Sequence, residues 1–276
     1  MMTQIKKQMV LFTDLDGSLL DRKTYRWEPA GAMVERIVEE GIPLVFCSSK
    51  TLVEQRHYQA ALGIEAPLII ENGSAIVLPR RIFPVAPAGA KEEAADWLIE
   101  FGATLEEIRD RLDSIRHTKG ISFAGLSTLT EEEVGYWTGL RGVDAQRAQQ
   151  RRYSETIVSP LSEEDLAQLR DGLTPFGLSI VQGTRFSTVT SRQTHKGRAV
   201  HFVSELYRGI FGSLFTVAGG DGRNDLPMLR AVDHGILLRG PGTDWCDEEV
   251  AGLHLVEGEG PAAWCRAVAP LLPHFP

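Results

Sequence analysis

Asp14 and Asp16 are the residues whose types and spacing most directly suggest chemistry. Asp14 ends the apolar run MVLFTD, one leucine separates it from Asp16, and alternate residues of an extended strand share a face. Two carboxylates on one face repel each other unless a cation lies between them or one holds a proton. Because Gly17 lets the backbone turn, Asp14 would be free to attack a substrate and Asp16 to act as general acid and base. A D-x-D-G turn that merely ends a strand would contain the same residues, so this motif alone leaves both interpretations open.

A second acidic group, consisting of Asp221, Asn224 and Asp225 in the run GGDGRND, follows the apolar segment SLFTVA. Magnesium prefers carboxylate and water oxygens in octahedral geometry. An aspartate at the end of each of two strands, with an Asn and an Asp nearby, would supply direct and supporting ligands for Mg²⁺. The alternative is a turn in which Asp or Asn caps the following helix.

Ser48 and Lys196 add a hydroxyl and an ammonium group. Ser48 ends the apolar run PLVFCS, and Lys196 in HKG begins a predicted helix. Ser48 would donate a hydrogen bond to a phosphoryl oxygen, and Lys196 would offset the charges of the nucleophile and of the phosphate. A helix-capping serine and a surface lysine are the ordinary alternatives. The motifs around Asp14, Ser48, Lys196 and Asp221 follow one another in that order along the chain. Together they predict a phosphatase that uses Asp14 as a covalent nucleophile.

Strands and helices alternate in the first and last thirds of the chain. The apolar runs MVLFTD, IPLVFCSS and APLIIENG indicate strands, and PAGAMVERIVEEG and TLVEQRHYQAALG have helical spacing with a closing glycine. The runs KGRAVHFVSELYRG, SLFTVAGGDG, NDLPMLRAV and HGILL continue the alternation. This order predicts a Rossmann-like α/β core of residues 1–82 and 192–276, with a parallel sheet and helices on both faces. Such sheets bind ligands at the carboxyl ends of their strands.

The segment between these parts, residues 83–191, has a different texture. Charged stretches with helical character (KEEAADWLIEFG, TLEEIRDRLDSI and SEEDLAQLRDGL) are mixed with the short β-like runs RYSETIVS, LSIVQG and RFSTVTS. The pattern predicts an inserted α+β domain. The Pro- and Gly-containing approach LPRRIFPVAPAGA is suited to a hinge or linker.

The composition restricts the functional class. The 276 residues are 43% apolar and 24% charged, with a formal net charge of −8. Nucleic acid is not an expected partner, because a phosphate backbone requires clustered Lys and Arg. Three scattered cysteines predict no disulfide framework and favour the cytoplasm. The N-terminal apolar run is too short and too soon interrupted for a signal peptide or a span, so we expect no membrane association, and the oligomeric state is left open.

The runs DLDGS, VFCSSK, HKG and GGDGRND resemble the four motifs of the haloacid dehalogenase superfamily. The resemblance implies that Asp14 forms an aspartyl-phosphate and that Asp16 protonates the leaving alcohol and then activates water. It implies that Ser48 and Lys196 bind the phosphoryl group. The implied magnesium ligands, the last two in support, are Asp14, the Asp16 carbonyl, Asp221, Asn224 and Asp225. The insertion is similar to the type IIB (C2B) α+β cap of the Cof-like branch, which covers the site and selects the substrate.

A narrower resemblance rests on the runs SSKT, IIENGSAI, LTEEEVGYWTGL and QRRYSE. Together they are similar to mannosyl-3-phosphoglycerate phosphatases, which make the compatible solute mannosylglycerate. This resemblance implies a small phosphorylated sugar or glycoside as substrate. The residues it assigns to substrate binding are Ser49, Lys50, Glu71, Asn72, Gly73, Arg152, Ser154 and Glu155. A solvated charge pair on a cap strand is the alternative for Arg152 and Glu155.

Three departures from the family pattern leave the exact phosphate ester open. Ser18 stands where Thr is commoner, Gly222 stands where Ser is usual, and the run RFSTVTS lacks the aromatic and histidine character of the family. Glucosyl-3-phosphoglycerate and other sugar phosphates are therefore alternative substrates. A phosphoryl transferase or mutase on the same fold is a further alternative, and so is a non-catalytic ligand-binding protein, although the intact Asp14 and Asp16 count against the latter.

Overall fold

The computed structural model describes residues 8–183 and 185–272. Its strands, in chain order, are β1 (Gln8–Thr13), β2 (Leu44–Cys47), β3 (Leu68–Ile70), β4 (Ala75–Pro79), β5 (Lys91–Glu93), β6 (Asp96–Glu100), β7 (Glu155–Ile157), β8 (Leu178–Gln182), β9 (Ser187–Ser191), β10 (Leu214–Gly220), β11 (His234–Arg239) and β12 (His254–Glu257). Its helices are α1 (Gly31–Glu39), α2 (Leu52–Leu62), α3 (Leu105–Lys119), α4 (Glu131–Thr138), α5 (Val143–Gln149), α6 (Glu163–Leu173), α7 (Lys196–Phe211), α8 (Leu226–Leu229), α9 (Asp247–Val250) and α10 (Gly260–Val268). Short 3₁₀ turns cover Glu28–Ala30, Glu71–Gly73, Leu126–Thr128, Thr174–Phe176, Arg223–Asp225 and Ala269–Leu271.

The large sheet has the strand order β12-β11-β10-β1-β2-β3-β4-β6-β5. The strands from β12 to β3 run parallel, and β4, β6 and β5 continue the sheet in antiparallel pairing. Val10, Leu11 and Phe12 of β1 are fully buried, as expected for a central parallel strand that is covered on both faces. The predicted α/β fold class is confirmed. Because β1 lies between β10 and β2, the loops after these three strands meet at one edge of the sheet.

The inserted segment contains a second sheet, of three antiparallel strands in the order β7-β9-β8. Its core includes Leu112 of α3, Leu169 of α6 and Val189 of β9, so both helices pack on this small sheet. These strands are the ones that the β-like runs of the sequence predict. Treating the α+β insertion as a separate domain remains a prediction.

The segment KEEAADWLIEFG forms a β-hairpin, so the prediction of a charged helix there is wrong. Glu93 pairs with Asp96, and the two alanines between them make the turn. β6 pairs with β4, which places the hairpin at the edge of the large sheet. Residues 91–100 therefore belong to the large sheet, and the boundary of the inserted domain at residue 83 remains a prediction.

Two helix starts bring polar residues to the edge of the sheet where the motifs meet. Thr51 caps α2 by accepting a hydrogen bond from the Glu54 amide at 3.2 Å, directly after Ser48 and Lys50. His195 caps α7, so that Lys196 occupies its first turn. Within residues 8–183 and 185–272, no helix has the length and apolar character that crossing a membrane requires.

Candidate active site

Asp14, Lys196 and Asp225 form the charged centre of the site. The Lys196 ammonium donates to Asp14 Oδ1 and to Asp225 Oδ1, each at 2.6 Å, and all three side chains are buried. The second Asp225 oxygen accepts from the amides of Asp221 and Gly222 at 3.0 and 2.9 Å. The loop after β10 is thereby shaped around Asp225, and the loop after β1 is joined to it through Lys196.

Burial governs the ionisation of this centre. Desolvation raises the pKa of Asp14 to about 7, although the Lys196 ammonium opposes the shift. Desolvation, with Asp225 and Asp14 nearby, also raises the pKa of Asp221 well above its usual range. Burial alone would lower the pKa of Lys196, but the Asp14 and Asp225 carboxylates outweigh it and raise this pKa, so the ammonium keeps its charge. A bound cation would relieve the repulsion that remains among the carboxylates.

Asp14, Asp221 and Asp225 also form the acidic cluster that fits a divalent cation. One carboxylate oxygen from each lies within 4.8 Å of the others, and all three residues are buried. Hard oxygen donors in such a cluster suit Mg²⁺. The other predicted ligands have side chains with different partners: Asp16 pairs with Lys50, and Asn224 donates to Asn72 Oδ1 at 3.3 Å.

Lys50 is the second buried ammonium of the site. Its Nζ lies 3.1 Å from Asp16 Oδ1 and 3.4 Å from Glu54 Oε1, and it stands 4.7 Å from the centre of the Tyr25 ring. Burial disfavours its charged form, but the Asp16 and Glu54 carboxylates outweigh this effect and raise the pKa of Lys50. Asp16 therefore faces a permanent positive charge.

A cavity of about 150 Å³ lies between the carboxyl edge of the large sheet and the insertion. The sheet side of its wall includes Asp14, Asp16, Arg22, Tyr25, Ser49, Lys50, Asn72, Asp221 and Asn224. The side formed by the insertion includes Thr138, Arg151, Thr156, Arg185, Phe186 and Thr188. Four cationic side chains, those of Arg22, Lys50, Arg151 and Arg185, thus face the same space as the candidate nucleophile. The same wall contains four carboxylates, those of Asp14, Asp16, Glu54 and Asp221, and the two arginines of the insertion, Arg151 and Arg185, supply positive charge on the opposite side.

Glu71 and Gly73, which the sequence assigns to substrate binding, lie outside the cavity wall. Glu71 is fully buried, and its carboxylate accepts from the amides of Arg152 and Tyr153 at 2.8 and 3.0 Å and from Ser154 Oγ at 2.5 Å. Gly73 packs so closely on the start of α7 that an added Cβ would lie 2.7 Å from the His195 carbonyl oxygen. Both residues thus hold elements together, whereas the predicted Ser49, Lys50 and Asn72 do line the cavity.

Three predicted residues of the insertion also point elsewhere. Arg152 forms a two-pronged ion pair with Glu93 at 2.7 and 2.9 Å, outside the cavity. Ser154 donates to Glu71, and Glu155 is buried inside the insertion, where it accepts from the Ser127 amide at 3.1 Å. None of these three residues lines the cavity, and their assignment to substrate contact stays a prediction.

Several residues of the cavity wall escaped the sequence analysis. Arg151 is adjacent to the predicted Arg152, and it donates to the Ser49 carbonyl at 2.8 Å. Arg185 lies in the run RFSTVTS and donates to the carbonyls of Thr138 and Trp137 at 3.0 and 2.8 Å. The run QRRYSE thus contributes Arg151 to the cavity wall, but its pattern does not tell which of two consecutive arginines faces inward.

Similarity to known proteins extends over nearly the whole chain. The glucosyl-3-phosphoglycerate/mannosyl-3-phosphoglycerate phosphatase of Methanococcoides burtonii is 34% identical over 264 residues, covering 95% of this chain and 97% of that protein. Residues 11–108 match the family described as haloacid dehalogenase-like hydrolase. The chain belongs to the haloacid dehalogenase-like hydrolases. The predictions of this superfamily and of a phosphoric monoester hydrolase are confirmed.

Solved structures share the fold of this haloacid dehalogenase-like hydrolase. A sugar phosphatase of subclass IIB superposes with a TM-score of 0.64 at 17% identity, over 96% of this chain and 99% of that chain. The sucrose-phosphatase of Synechocystis, solved in complex with sucrose and phosphate, gives a TM-score of 0.59 at 14% identity, over 96% and 98% of the two chains. The predicted core with a type IIB insertion is thereby confirmed as the fold.

Proposed function

We propose that this hydrolase is a Mg²⁺-dependent phosphatase that converts mannosyl-3-phosphoglycerate to mannosylglycerate and phosphate, a reaction of mannosylglycerate biosynthesis in the cytoplasm. One observation carries the proposal: Asp14, paired with Lys196 and close to two further aspartates, faces a cavity with four cationic side chains in its wall. Hydrolysis of an anionic phosphate monoester requires a nucleophile, charge compensation and a basic binding surface. The name of the Methanococcoides burtonii relative supports this class of substrate.

Asp14 and Asp16 carry the two half-reactions in this proposal. An oxygen of Asp14 attacks phosphorus, the bond between phosphorus and the glycerate oxygen breaks, and Asp16 gives its proton to that leaving oxygen. Water then attacks the phosphorus of the aspartyl-phosphate and passes a proton to Asp16. The bond between phosphorus and the Asp14 oxygen breaks, so phosphate is released and both carboxyl groups return to their starting states. The ion pair with Lys50 at 3.1 Å keeps Asp16 at the cavity between the two steps.

Charge compensation is assigned to the residues around the nucleophile. Lys196, 2.6 Å from Asp14, reduces the repulsion between the carboxylate and the approaching phosphate, and Ser48 is assigned a hydrogen bond to a phosphoryl oxygen. Mg²⁺ supplies further positive charge at the phosphoryl oxygens when it is bound. Its proposed ligands are Asp14, the Asp16 carbonyl and Asp221, supported by Asn224 and Asp225.

Glucosyl-3-phosphoglycerate is the second candidate substrate, because the name of the same relative includes both esters. The glycerate carboxylate is common to the two, and Arg151 and Arg185 in the cavity wall supply positive charge for it, while part of their N–H groups donate to the protein. The hydroxyls of Thr156 and Thr188 line the same side and can accept or donate hydrogen bonds to a hexose. Discrimination between mannose and glucose would then depend on the hydrogen bonds that these two hydroxyls form with the hexose.

The test is phosphate release, with Mg²⁺, from mannosyl-3-phosphoglycerate, glucosyl-3-phosphoglycerate, hexose phosphates and 3-phosphoglycerate. The expected result is a preference in kcat/KM for the mannosyl ester, and loss of release in the Asp14→Asn variant. A preference for the glucosyl ester would select the second candidate. Release from no member of the panel would contradict the proposed function.

A further inference from the structure

Arg22 adds positive charge to the wall of the cavity, but no specific contact has been assigned to it so far. It belongs to a tight turn after the first motif, in which the Asp21 side chain accepts from the amides of Lys23 and Thr24 at 3.1 and 2.8 Å. The Tyr25 amide also donates to the Asp21 carbonyl at 2.9 Å. The backbone on both sides of Arg22 is therefore fixed, and its side chain extends from a rigid base.

The Arg22 guanidinium lies between two carboxylates. Its Nη2 donates to Asp221 Oδ2, and its Nε donates to Glu259 Oε2 at 3.2 Å. Glu259 immediately precedes α10, and the Gly260 amide donates to the Gly17 carbonyl at 2.6 Å, which attaches this helix to the loop after β1. Glu259, which does not belong to the acidic cluster, thus holds Arg22 in place while Arg22 contacts Asp221, which does.

Gly17 leaves the room that this contact needs. Its φ is +84°, and an added Cβ would lie 2.7 Å from Arg22 Nη2 and would collide with Asp221 Oδ2. The glycine of the first motif therefore permits the turn and also the approach of Arg22 to Asp221. A side chain at this position would separate the two.

Two residues, Lys196 and Arg22, are the cationic partners of the acidic cluster. Lys196 serves Asp14 and Asp225, whereas the Asp221 carboxylate receives its hydrogen bond from Arg22, its only side-chain partner in the described part of the chain. Arg22 thus holds Oδ2 of Asp221, a residue that also has a carboxylate oxygen within 4.8 Å of ligand oxygens of Asp14 and Asp225. Hydrogen bonds of this kind from an outer residue orient metal ligands and commonly change metal affinity by about 10- to 100-fold.

We propose that Arg22, anchored by Glu259, is a positioning residue that orients Asp221 for the divalent cation. The inference rests on the magnesium site of the proposed function. Arg22 donates a hydrogen bond to one carboxylate oxygen of Asp221. The Asp221 side chain is therefore already ordered before the cation binds, so binding loses less conformational entropy. In this role the residue acts through Asp221.

The experiment is calorimetric titration of metal-stripped protein with Mg²⁺ or Mn²⁺, which needs no turnover. Arg22→Gln removes the charge and most of the donors, Arg22→Lys keeps the charge, and Glu259→Gln leaves Arg22 in place but weakens its anchor. Arg26→Gln is the matched control, because Arg26 belongs to the same turn but pairs with Glu28 at 3.3 Å on the surface. We expect the dissociation constant to rise about 10- to 100-fold in Arg22→Gln, to rise less in Glu259→Gln and Arg22→Lys, and to stay unchanged in Arg26→Gln.

Two results overturn the inference while leaving the proposed function intact. Unchanged affinity in Arg22→Gln would make the contact with Asp221 merely structural, and tighter binding would make Arg22 a competitor of the cation. If that variant does not fold, the same two results in Glu259→Gln decide the matter. A wild-type protein that binds neither ion would instead overturn the magnesium site itself and this inference with it.

Discussion

Lys196 and Lys50 each place a positive charge beside one of the two carboxylates that are proposed to react. Lys196 contacts the candidate nucleophile Asp14, and Lys50 contacts Asp16, the candidate acid and base. Both ammonium groups are buried, and the carboxylates around them raise both pKa values. Both therefore remain charged at neutral pH, so each reacting aspartate has a fixed positive neighbour.

Replacing Lys50 tests whether its charge supports Asp16. We expect Lys50→Met to lower kcat about 10- to 100-fold, because Asp16 loses the ion pair that holds it at the cavity, and general acid and base catalysis contributes effects of this size or larger. The measurement is kcat and KM with a glycosyl-3-phosphoglycerate, with Lys23→Met in the neighbouring turn as control. An unchanged kcat would show that Asp16 needs no positioning by Lys50.

The last turn of α5 and the segment between α5 and β7 join the insertion to the two loops after β2 and β3. The Arg147 carbonyl accepts from Thr51 Oγ1 at 2.9 Å, Arg151 reaches the Ser49 carbonyl, and Glu71 accepts from two amides of the segment. Three separate contacts thus determine which side chains of the segment face the cavity. Arg151 does so, and Arg152 is held on the other side by Glu93.

The two neighbouring arginines provide a matched pair for a second prediction. We expect Arg151→Ala to lower kcat/KM by at least about tenfold, because a desolvated cationic donor is lost from the cavity wall. We expect Arg152→Ala to leave kcat/KM within about twofold, because its partner Glu93 is exposed. Melting temperatures of both variants separate lost binding from lost stability. A larger effect on kcat/KM in Arg152→Ala would restore Arg152 as the substrate residue.

Two elements show where the sequence pattern is insufficient. The turn between β5 and β6 consists of Ala94 and Ala95, and Ala94 has a φ of +53°. Two-residue hairpin turns usually contain Gly, Asn or Asp, so this turn has no sequence signal, and the charged flanks resemble a helix. Which of Arg151 and Arg152 faces the cavity likewise depends on their contacts with Ser49 and Glu93. These partners are distant in sequence, so the local residue pattern does not predict the contacts.

At the scale of the whole molecule, the parallel sheet explains why widely separated motifs meet. Asp14 follows β1, Ser48 follows β2, and Asp221 follows β10, and these strands are neighbours in the sheet. The sequence was sufficient here, since each motif follows an apolar strand and parallel strands end at a common edge. The insertion then closes the cavity from the opposite side, through long-range contacts that the sequence does not encode locally.

Metal removal tests the acidic cluster at this scale. We expect Mg²⁺ to raise the melting temperature of metal-stripped protein, because a cation that binds the folded state stabilises it by about 2.7 kcal/mol at a concentration of 100 times Kd. Asp221→Asn should lose most of this increase, since it removes one of the three clustered carboxylates. Thermal unfolding with and without EDTA provides the measurement. An equal increase in the wild type and the variant would place the stabilising cation elsewhere.

The central claim is that Asp14 accepts the phosphoryl group, and trapping that group tests it most directly. Asp16→Ala should still form the aspartyl-phosphate from p-nitrophenyl phosphate, whose leaving group needs no proton, but should hydrolyse it slowly because the base is missing. The account predicts a burst of about one nitrophenolate per site and a phosphoryl mass on the peptide that contains Asp14. A phosphoryl group on another residue, or turnover without a burst and without a labelled peptide, would contradict it.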